Sequence, residues 1–357
     1  MPISARSFKV RAMNTTYDCL ALFSSGLDSI LAVKTIQAQG LRVLGLHFVS
    51  PFFGKPHMIS HWESVYGVDI IPVDISQGFV RMLVQGPQWS LGKHLNPCVD
   101  CKILMLSRAR EMLPMFQASF LITGEVLGQR PMSQRRDSLQ TIKREAGVAE
   151  ILLRPLSALS LEPTPMEQSG LVDRSRLLGL KGRGRKGQLA LARKYGLQDI
   201  PTPAGGCLLT EPESARRFGP LLFYFQDPKS DDFELCATGR QLWWEDHWLV
   251  IGRNQQDNER LLNLVQPNDL VFKLAHLPGP IAVGRQFKGT WSSQVMHSAA
   301  RVLTQFSPRA RSAGSKVTVL MAQEGQTFEL SVDPSPLDGN PWQEPASEDL
   351  KEIKKKL

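Results

Sequence analysis

No apolar run in this 357-residue chain approaches the roughly 20 residues that a membrane-spanning helix needs. A helical membrane anchor is therefore excluded. Residues 1–14 carry Arg6, Lys9 and Arg11 but no hydrophobic region of signal-peptide type follows them, so the expected location is the cytoplasm. A disulfide framework is lacking too. Five cysteines, an odd number in so long a chain, point to metal, cluster or catalytic use for those that group. No internal repeat is apparent. Acidic charge is the scarcer sign: 42 Lys and Arg face 34 Asp and Glu, a formal balance of +8 that favours a polyanionic partner. Net charge bears on association and not on fold.

Short β-rich apolar runs are present at 19–23, 43–49, 68–75, 120–124 and 151–156, with helical patterns at 30–39, 58–66, 101–113 and 188–195. This alternation predicts an α/β fold of right-handed βαβ units, a parallel sheet covered by helices on both faces. Ligands in such sheets sit at the carboxyl ends of strands, where residues 24–29, 47–50 and 123–129 emerge. His47 and Phe48 are accordingly candidate nucleotide contacts. Pro201, Pro203, Gly205 and Gly206 then break the pattern, and tryptophan-rich short strands begin near Asp231. The expected organisation is a first domain over 1–225, a smaller α+β domain over 230–335, and a charged, partly disordered tail over 336–357 that ends in Lys354, Lys355 and Lys356.

Ser24-Ser25-Gly26-Leu27-Asp28-Ser29 joins the first strand to the first helix. Small residues let backbone amides converge on an anion, the helix N-terminus adds partial positive charge, and Asp28 can hold Mg2+ or orient a nucleotide. The loop lacks the Gly-Lys-Ser/Thr ending of the triphosphatase P-loop and the three spaced glycines of the dinucleotide fingerprint. It resembles the S-G-G-x-D-S loop of the PP-loop ATP pyrophosphatases, which split ATP into AMP and pyrophosphate while adenylating a substrate. Ser25 stands where that motif usually has its first glycine.

Cys98 and Cys101 form Cys-Val-Asp-Cys after Asn96-Pro97 at a probable helix start, and Cys207 lies in a Gly-Gly-Cys turn. One C-x-x-C offers too few ligands for structural zinc. Three cysteines suit a [4Fe–4S] cluster with one iron left open, or equally a redox pair with a nucleophile that carries a persulfide. Downstream come Thr123-Gly124-Glu125-Val126-Leu127-Gly128-Gln129, Met132-Ser133-Gln134 and Leu153-Arg154-Pro155-Leu156. Glycines there permit close backbone approach, Glu125 and Gln129 have the reach for magnesium or ribose, and Ser133, Gln134, Arg135 and Arg136 offer donors to phosphate or RNA.

In this order the motifs resemble the catalytic half of the tRNA 4-thiouridine synthases, the ThiI-like enzymes, from about residue 19 to 210. The resemblance implies ATP and Mg2+ at Ser24, Ser25, Gly26, Asp28, Ser29, Thr123, Gly124 and Gln129. It also implies catalytic roles for Asp28, Cys98, Cys101 and Cys207, with tRNA, a persulfide or sulfide source and a second copy of the chain as partners. The family's amino-terminal RNA-binding regions and its rhodanese-like domain are expected to be absent, and members without rhodanese use a cluster on three cysteines.

RNA contacts are then expected from about residue 233 to 330. Leu249-Val250-Ile251-Gly252-Arg253-Asn254, Asn258, the turn His276-Leu277-Pro278-Gly279-Pro280 and the stretch from Ala299-Ala300 to Phe306-Ser307 resemble the NFACT-R RNA-binding module. Arg240, Arg253, Arg285, Lys288 and Arg301 are candidate phosphate contacts, and Trp243, Trp244 and Trp291 candidate base platforms. Lys181, Arg183, Arg185 and Lys186, in the glycine-rich stretch 179–187, form either a loop that closes on RNA or a solvated one. Alternatives to 4-thiouridine formation are 2-thiouridine formation, a PP-loop amide- or nitrile-forming ligase, and a non-catalytic RNA-binding protein.

Overall fold

A computed structural model describes residues 16–89, 91–201, 206–336 and 339–346. Arg6, Lys9, Arg11, Pro203, Gly205 and the three terminal lysines lie outside them. The chain divides into two units, Met1–Thr210 and Glu211–Leu357. The division falls before the helix Pro212–Tyr224, where the sequence places it near residue 225.

The first unit runs β1 (Cys19–Leu22), α1 (Leu27–Gln37), β2 (Val43–Val49), α2 (Ile59–Tyr66), β3 (Asp69–Asp74), α3 (Ser76–Gln85), α4 (Cys98–Met112), β4 (Phe120–Thr123), α5 (Arg136–Glu145), β5 (Leu152–Leu153), a single turn α6 (Pro165–Gln168) and α7 (Lys186–Lys194). Its five strands are parallel in the order β3-β2-β1-β4-β5. β1 is central and buried at all four residues, which is why its sequence, Cys-Leu-Ala-Leu, is a continuous apolar run and not an alternating one. Phe23 and Ile30 pack with Trp62 and Tyr66 of α2 in one core. α1 is apolar almost all round, because a second core joins Leu27 and Leu31 to Leu191 and Ala192 of α7.

The chain fills the sheet on one side of β1 through β2 and β3, then crosses to the other side for β4 and β5. Loops leaving β1 and β4 therefore diverge, and the crevice between them is where open parallel sheets take ligands. Leu22 is in register with Thr123. Residues 24–29 and 124–129 thus leave the sheet side by side.

The second unit contains α8 (Pro212–Tyr224), α9 (Ser230–Ala237), β6 (Arg240–Trp244), β7 (His247–Ile251), α10 (Gln255–Asn263), β8 (Leu270–Leu274), β9 (Ala282–Arg285), α11 (Ser293–Gln305), α12 (Pro308–Arg311), β10 (Val317–Gln323) and β11 (Gln326–Val332). Its antiparallel sheet has the order β11-β10-β8-β9-β7-β6. Ala299, Ala300 and Leu303 of α11 pack into its core with Phe272 and Trp291. Trp342, within the segment expected to be a solvated tail, belongs to the same core, and Gln343 pairs with Trp243. An indole has too much apolar area to be left in water where a sheet face can cover it.

Candidate active site at the carboxyl edge of the parallel sheet

The strand-to-helix loop is built by a left-handed turn. Ser25 has φ of 59°, and Gly26 returns to extended backbone (φ −77°, ψ 154°) as the N-cap of α1. Gly26 O accepts from Ser29 N at 3.0 Å, Ile30 N at 3.2 Å and Ser29 Oγ at 2.8 Å. The glycine preferred at position 25 of the motif is thus the one the backbone asks for, and serine there is strained. Ser25→Gly is expected to raise stability by up to about 1 kcal/mol. A denaturant midpoint unchanged or lowered in that variant would show that the turn carries no such strain.

Gly124 meets α1 from the neighbouring strand. A Cβ there would lie 2.4 Å from Asp28 C and O and 2.6 Å from Ser29 N, so only glycine lets the end of β4 approach the helix start. The loop beyond it reaches the same aspartate. Gln129 Nε2 donates to Asp28 Oδ2 at 3.0 Å, while Asp28 Oδ1 and Gln129 Oε1 are buried and lack a protein partner. Two oriented, orphaned oxygens beside a helix N-terminus are costly to hold unless something outside the chain uses them. Gln134 closes this loop, its carbonyl accepting from Gly128 N at 2.7 Å and its Oε1 from Arg130 N at 3.1 Å.

Glu125 turns the other way. It is 2% exposed; its Oε2 accepts from Arg154 Nε at 2.9 Å and Thr123 Oγ1 at 3.1 Å. Burial pushes its carboxyl up, but the charges of Arg154 and Lys102 and the hydrogen bonds from Arg154 and Thr123 outweigh that and hold it below the usual range. Glu125 Oε2 is therefore held in a buried ion pair on which the Thr123 side chain is also spent, while its Oε1 is buried without a partner among the described residues. His47 is likewise committed within the fold: its Nδ1 donates to Phe23 O at 3.0 Å and its Nε2 accepts from Lys55 N at 2.9 Å. Burial holds it below its usual pKa despite the Phe23 carbonyl, which keeps the ring neutral. The His47 ring nitrogens are thus committed to the chain's own backbone, and the Phe48 side chain is buried.

Cys98 opens α4, and Asn96 Nδ2 donates to its Sγ at 3.2 Å and to Met132 Sδ at 3.4 Å. Asn96 is itself buried and ties the cysteine helix to the Met132-Ser133-Gln134 loop. Burial pushes the Cys101 thiol well up, and the neighbouring Cys207 and Cys98 push it in the same direction against the charge of Lys102. Cys98 and Cys101 share the first turn of α4, and Cys207, far away in sequence, lies near enough to Cys101 to act on its thiol electrostatically. None of the five cysteines is in a disulfide. Among the described residues, the tight group of potential metal ligands, within 4.8 Å of one another, is Glu245, Asp246 and His247; the cysteine trio is more open than that.

Residues 14–163 match the family model described as thiamine biosynthesis protein (ThiI), and residues 239–341 the NFACT protein RNA binding domain. The chain thus has a ThiI-like region followed by a region similar to the NFACT RNA-binding domain. Among curated proteins, a tRNA sulfurtransferase of Desulfurococcus amylolyticus is 27% identical over 169 residues, 45% of this chain and 32% of that protein. The chain thus matches about a third of that relative's length. Solved structures with similarity include the U34-tRNA thiolase NcsA of Methanococcus maripaludis with its [4Fe–4S] cluster (TM-score 0.29, 12% identity, 60% of this chain and 72% of that one). Another is the C-terminal part of the fibronectin/fibrinogen-binding protein of Streptococcus suis (TM-score 0.25, 19% identity, 32% and 49%).

Within the ThiI domain the structure brings Ser24, Ser25, Gly26, Asp28, Ser29, Gly124 and Gln129 together. Asn96 is the site residue that composition and motif reading overlooks, although its place two residues before Cys98 is a usable signal. In the NFACT-like region two of the three expected base platforms are core, while Trp244 is half-buried. Trp243 and Trp291 are buried, and Trp243 stacks on Trp248 with ring centroids 5.4 Å apart. Arg285 is 4% exposed and is held by Asp232 and Asp269. Arg253 pairs with Asp257 at 2.7 Å, Lys288 with Asp246 at 3.4 Å, and Arg240 lies over the Phe306 ring at 5.0 Å. Trp243, Trp291 and Arg285 are thus used to build the core, whereas Trp244 and Arg240 are half-buried and Arg253 and Lys288 remain exposed.

Proposed function

We propose that this chain is an ATP-dependent tRNA sulfurtransferase forming 4-thiouridine. The observation that carries the reading is the pair of orphaned buried oxygens of Asp28 and Gln129 at the helix start, in the same unit as Cys98, Cys101 and Cys207. ATP is a substrate here, with its phosphates at the loop of residues 24–29. Carboxylate and amide oxygens are the hard donors that Mg2+ takes while keeping several waters, so Asp28 and Gln129 fit that ion. Cys98, Cys101 and Cys207 are the soft donors an iron–sulfur cluster takes. Their spacing is wider than the roughly 3.8 Å between thiolates on one tetrahedral ion with 2.3 Å bonds. A cluster on these three would supply one iron with an open position for a sulfur species.

The uridine O4 attacks the α-phosphorus of ATP, the P–O bond to pyrophosphate breaks, and the amides at the start of α1 stabilise the charge that departs. Adenylation releases the N3 proton; hydrosulfide then attacks C4, its proton passes to N3, the C4–O bond breaks and AMP leaves. A Cys207 persulfide as donor requires one more event, because its S–S bond must be cleaved by a second thiol, Cys98 or Cys101, leaving a disulfide for an external reductant. Asn96 positions Cys98 in either case. The target base leaves its stack to reach such a site.

The test is mass spectrometry of nucleosides from unmodified tRNA incubated with the reduced protein, ATP, Mg2+ and a sulfide or persulfide donor. 4-Thiouridine is the expected product; 2-thiouridine would retain the chemistry and change the carbonyl, and no thionucleoside would overturn the reading. Cys207→Ser is expected to abolish thiouridine while ATP-dependent pyrophosphate release persists, and an unchanged thiouridine yield would remove Cys207 from sulfur handling.

A further inference from the structure

From Arg174 to Gln198 the chain carries eight Lys and Arg residues and no acidic one. Within that stretch, residues 178–182 are fastened to the nucleotide-side loop through the backbone. Leu178 N donates to Pro155 O at 3.0 Å, Leu180 N to Leu156 O at 2.8 Å and Gly182 N to Leu127 O at 2.7 Å, and Lys181 bridges Leu127 in parallel register. The fully buried Ser157 ties both sides, accepting from Leu127 N at 3.0 Å and donating to Leu180 O at 2.7 Å. Gly182 (φ +81°) and Gly128 (φ +77°) let the two backbones run close; a Cβ on Gly128 would sit 3.6 Å from Gly182 N. The segment is therefore a fixed strap beside Gln129 and not a free loop.

Its side chains are arranged differently from its backbone. Lys181, Arg183 and Lys186 are exposed and Arg185 is half-buried, and among the described residues no ion pair holds any of the four. Arg185 is the N-cap of α7 and Lys186 its first residue, with no acid in the first turn. Cations at that end oppose the helix dipole and cost stability, where Asp or Glu would add it. Nothing in the fold offsets this cost. A local rule broken without compensation inside the protein is what a charged ligand outside it relieves.

We propose that residues 181–186 are a strap that grips the phosphate backbone of the RNA next to the reacting base. This rests on the tRNA reading above and adds the element that holds the substrate at the ThiI domain itself. Backbone phosphates are the occupant, not those of ATP, because Lys181, Arg183 and Lys186 are all exposed to solvent, whereas the nucleotide's own phosphates have the β1–α1 loop.

The experiment compares the full chain with Lys181→Ala/Arg183→Ala/Lys186→Ala and with the charge-conserving Lys181→Arg/Arg183→Lys/Lys186→Arg, measuring unmodified tRNA binding across 50–300 mM salt and ATP binding by calorimetry. Three lost contacts at about 0.7 each predict that the magnitude of the log K against log salt slope falls by about 2, with affinity near 0.1 M salt reduced on the order of 10-fold or more. ATP affinity is expected to be unchanged in both variants, and the charge-conserving variant to bind tRNA as the unaltered protein does. An unchanged slope in the alanine variant would overturn the strap. Loss of ATP binding in that variant would also overturn it, assigning these cations to the nucleotide. Failure of the unaltered protein to bind tRNA at all would instead remove the reading on which the strap rests.

Discussion

Asp28→Ala is expected to lower ATP-dependent pyrophosphate release by on the order of 100- to 1,000-fold, the size of effect seen when one preorganised charge-stabilising group is removed from a site. Thermal stability should stay the same or rise. The argument is one of unpaired groups: Asp28 Oδ2 has a single protein donor, Gln129 Nε2, and Oδ1 is buried with none. A carboxylate kept for structure would be held by a cation, as Arg154 holds Glu125, and would lose stability on truncation; Asp28 has no such partner among the described residues. tRNA binding should survive, since the loop's own chemistry concerns the nucleotide. Normal pyrophosphate release, or a clear fall in melting temperature, would assign Asp28 to the fold and sink the loop assignment.

The parallel sheet was legible because β1, β2, β4 and β5 are buried on both faces and appear as apolar runs, while β3, at an edge, alternates; all five runs correspond to strands. β5 is only Leu152–Leu153, as suits the last strand at an edge with a single neighbour. The helices α3 and α5 escape a periodicity reading because each buries few residues, Phe79, Val80 and Leu83 in α3 and Leu139 and Ile142 in α5, where charged groups cover most of the rest. The site loop was legible for a related reason. Small residues between a strand and a helix have few other uses, and Gly124 is needed for an approach its own sequence neighbours reveal. What sequence does not disclose is how a polar side chain is satisfied. Glu125 looked like a metal ligand until Arg154, 29 residues away, was placed against it. His47 looked like a nucleotide contact until Phe23 and Lys55 closed on its ring. Trp243 and Arg285 looked like an RNA surface until the sheet enclosed them. Each depends on contacts distant in sequence, which no local pattern encodes.

Arg154→Met should then be the most destabilising of these changes. It leaves Glu125 charged, 2% exposed and without its cation, and breaking one side of a buried ion pair costs about 3–5 kcal/mol. The sign of the pH dependence follows from the direction of the Glu125 shift. Its carboxyl sits below the usual range in the folded protein, so the pair's contribution is complete above that range and is lost as pH falls through the folded value. In Arg154→Met the burial contribution is no longer offset by that cation, the carboxyl moves up, and the loss relative to the unaltered protein should shrink at acid pH, where Glu125 is protonated. Glu125→Gln/Arg154→Met should recover much of the stability, because the charge that needed a partner is gone. Unfolding curves of the single and double variants at pH 5 and pH 8 check this. A double variant no better than Arg154→Met at pH 8 would mean that Arg154 acts through its hydrogen bond to Leu139 O and its packing, and not through Glu125. Pyrophosphate release measured on the recovered double variant isolates what the pair does for the site. Glu125 follows directly on the glycine that abuts Asp28, so a stable protein with lowered turnover would show that the pair fixes the β4 end against the nucleotide loop.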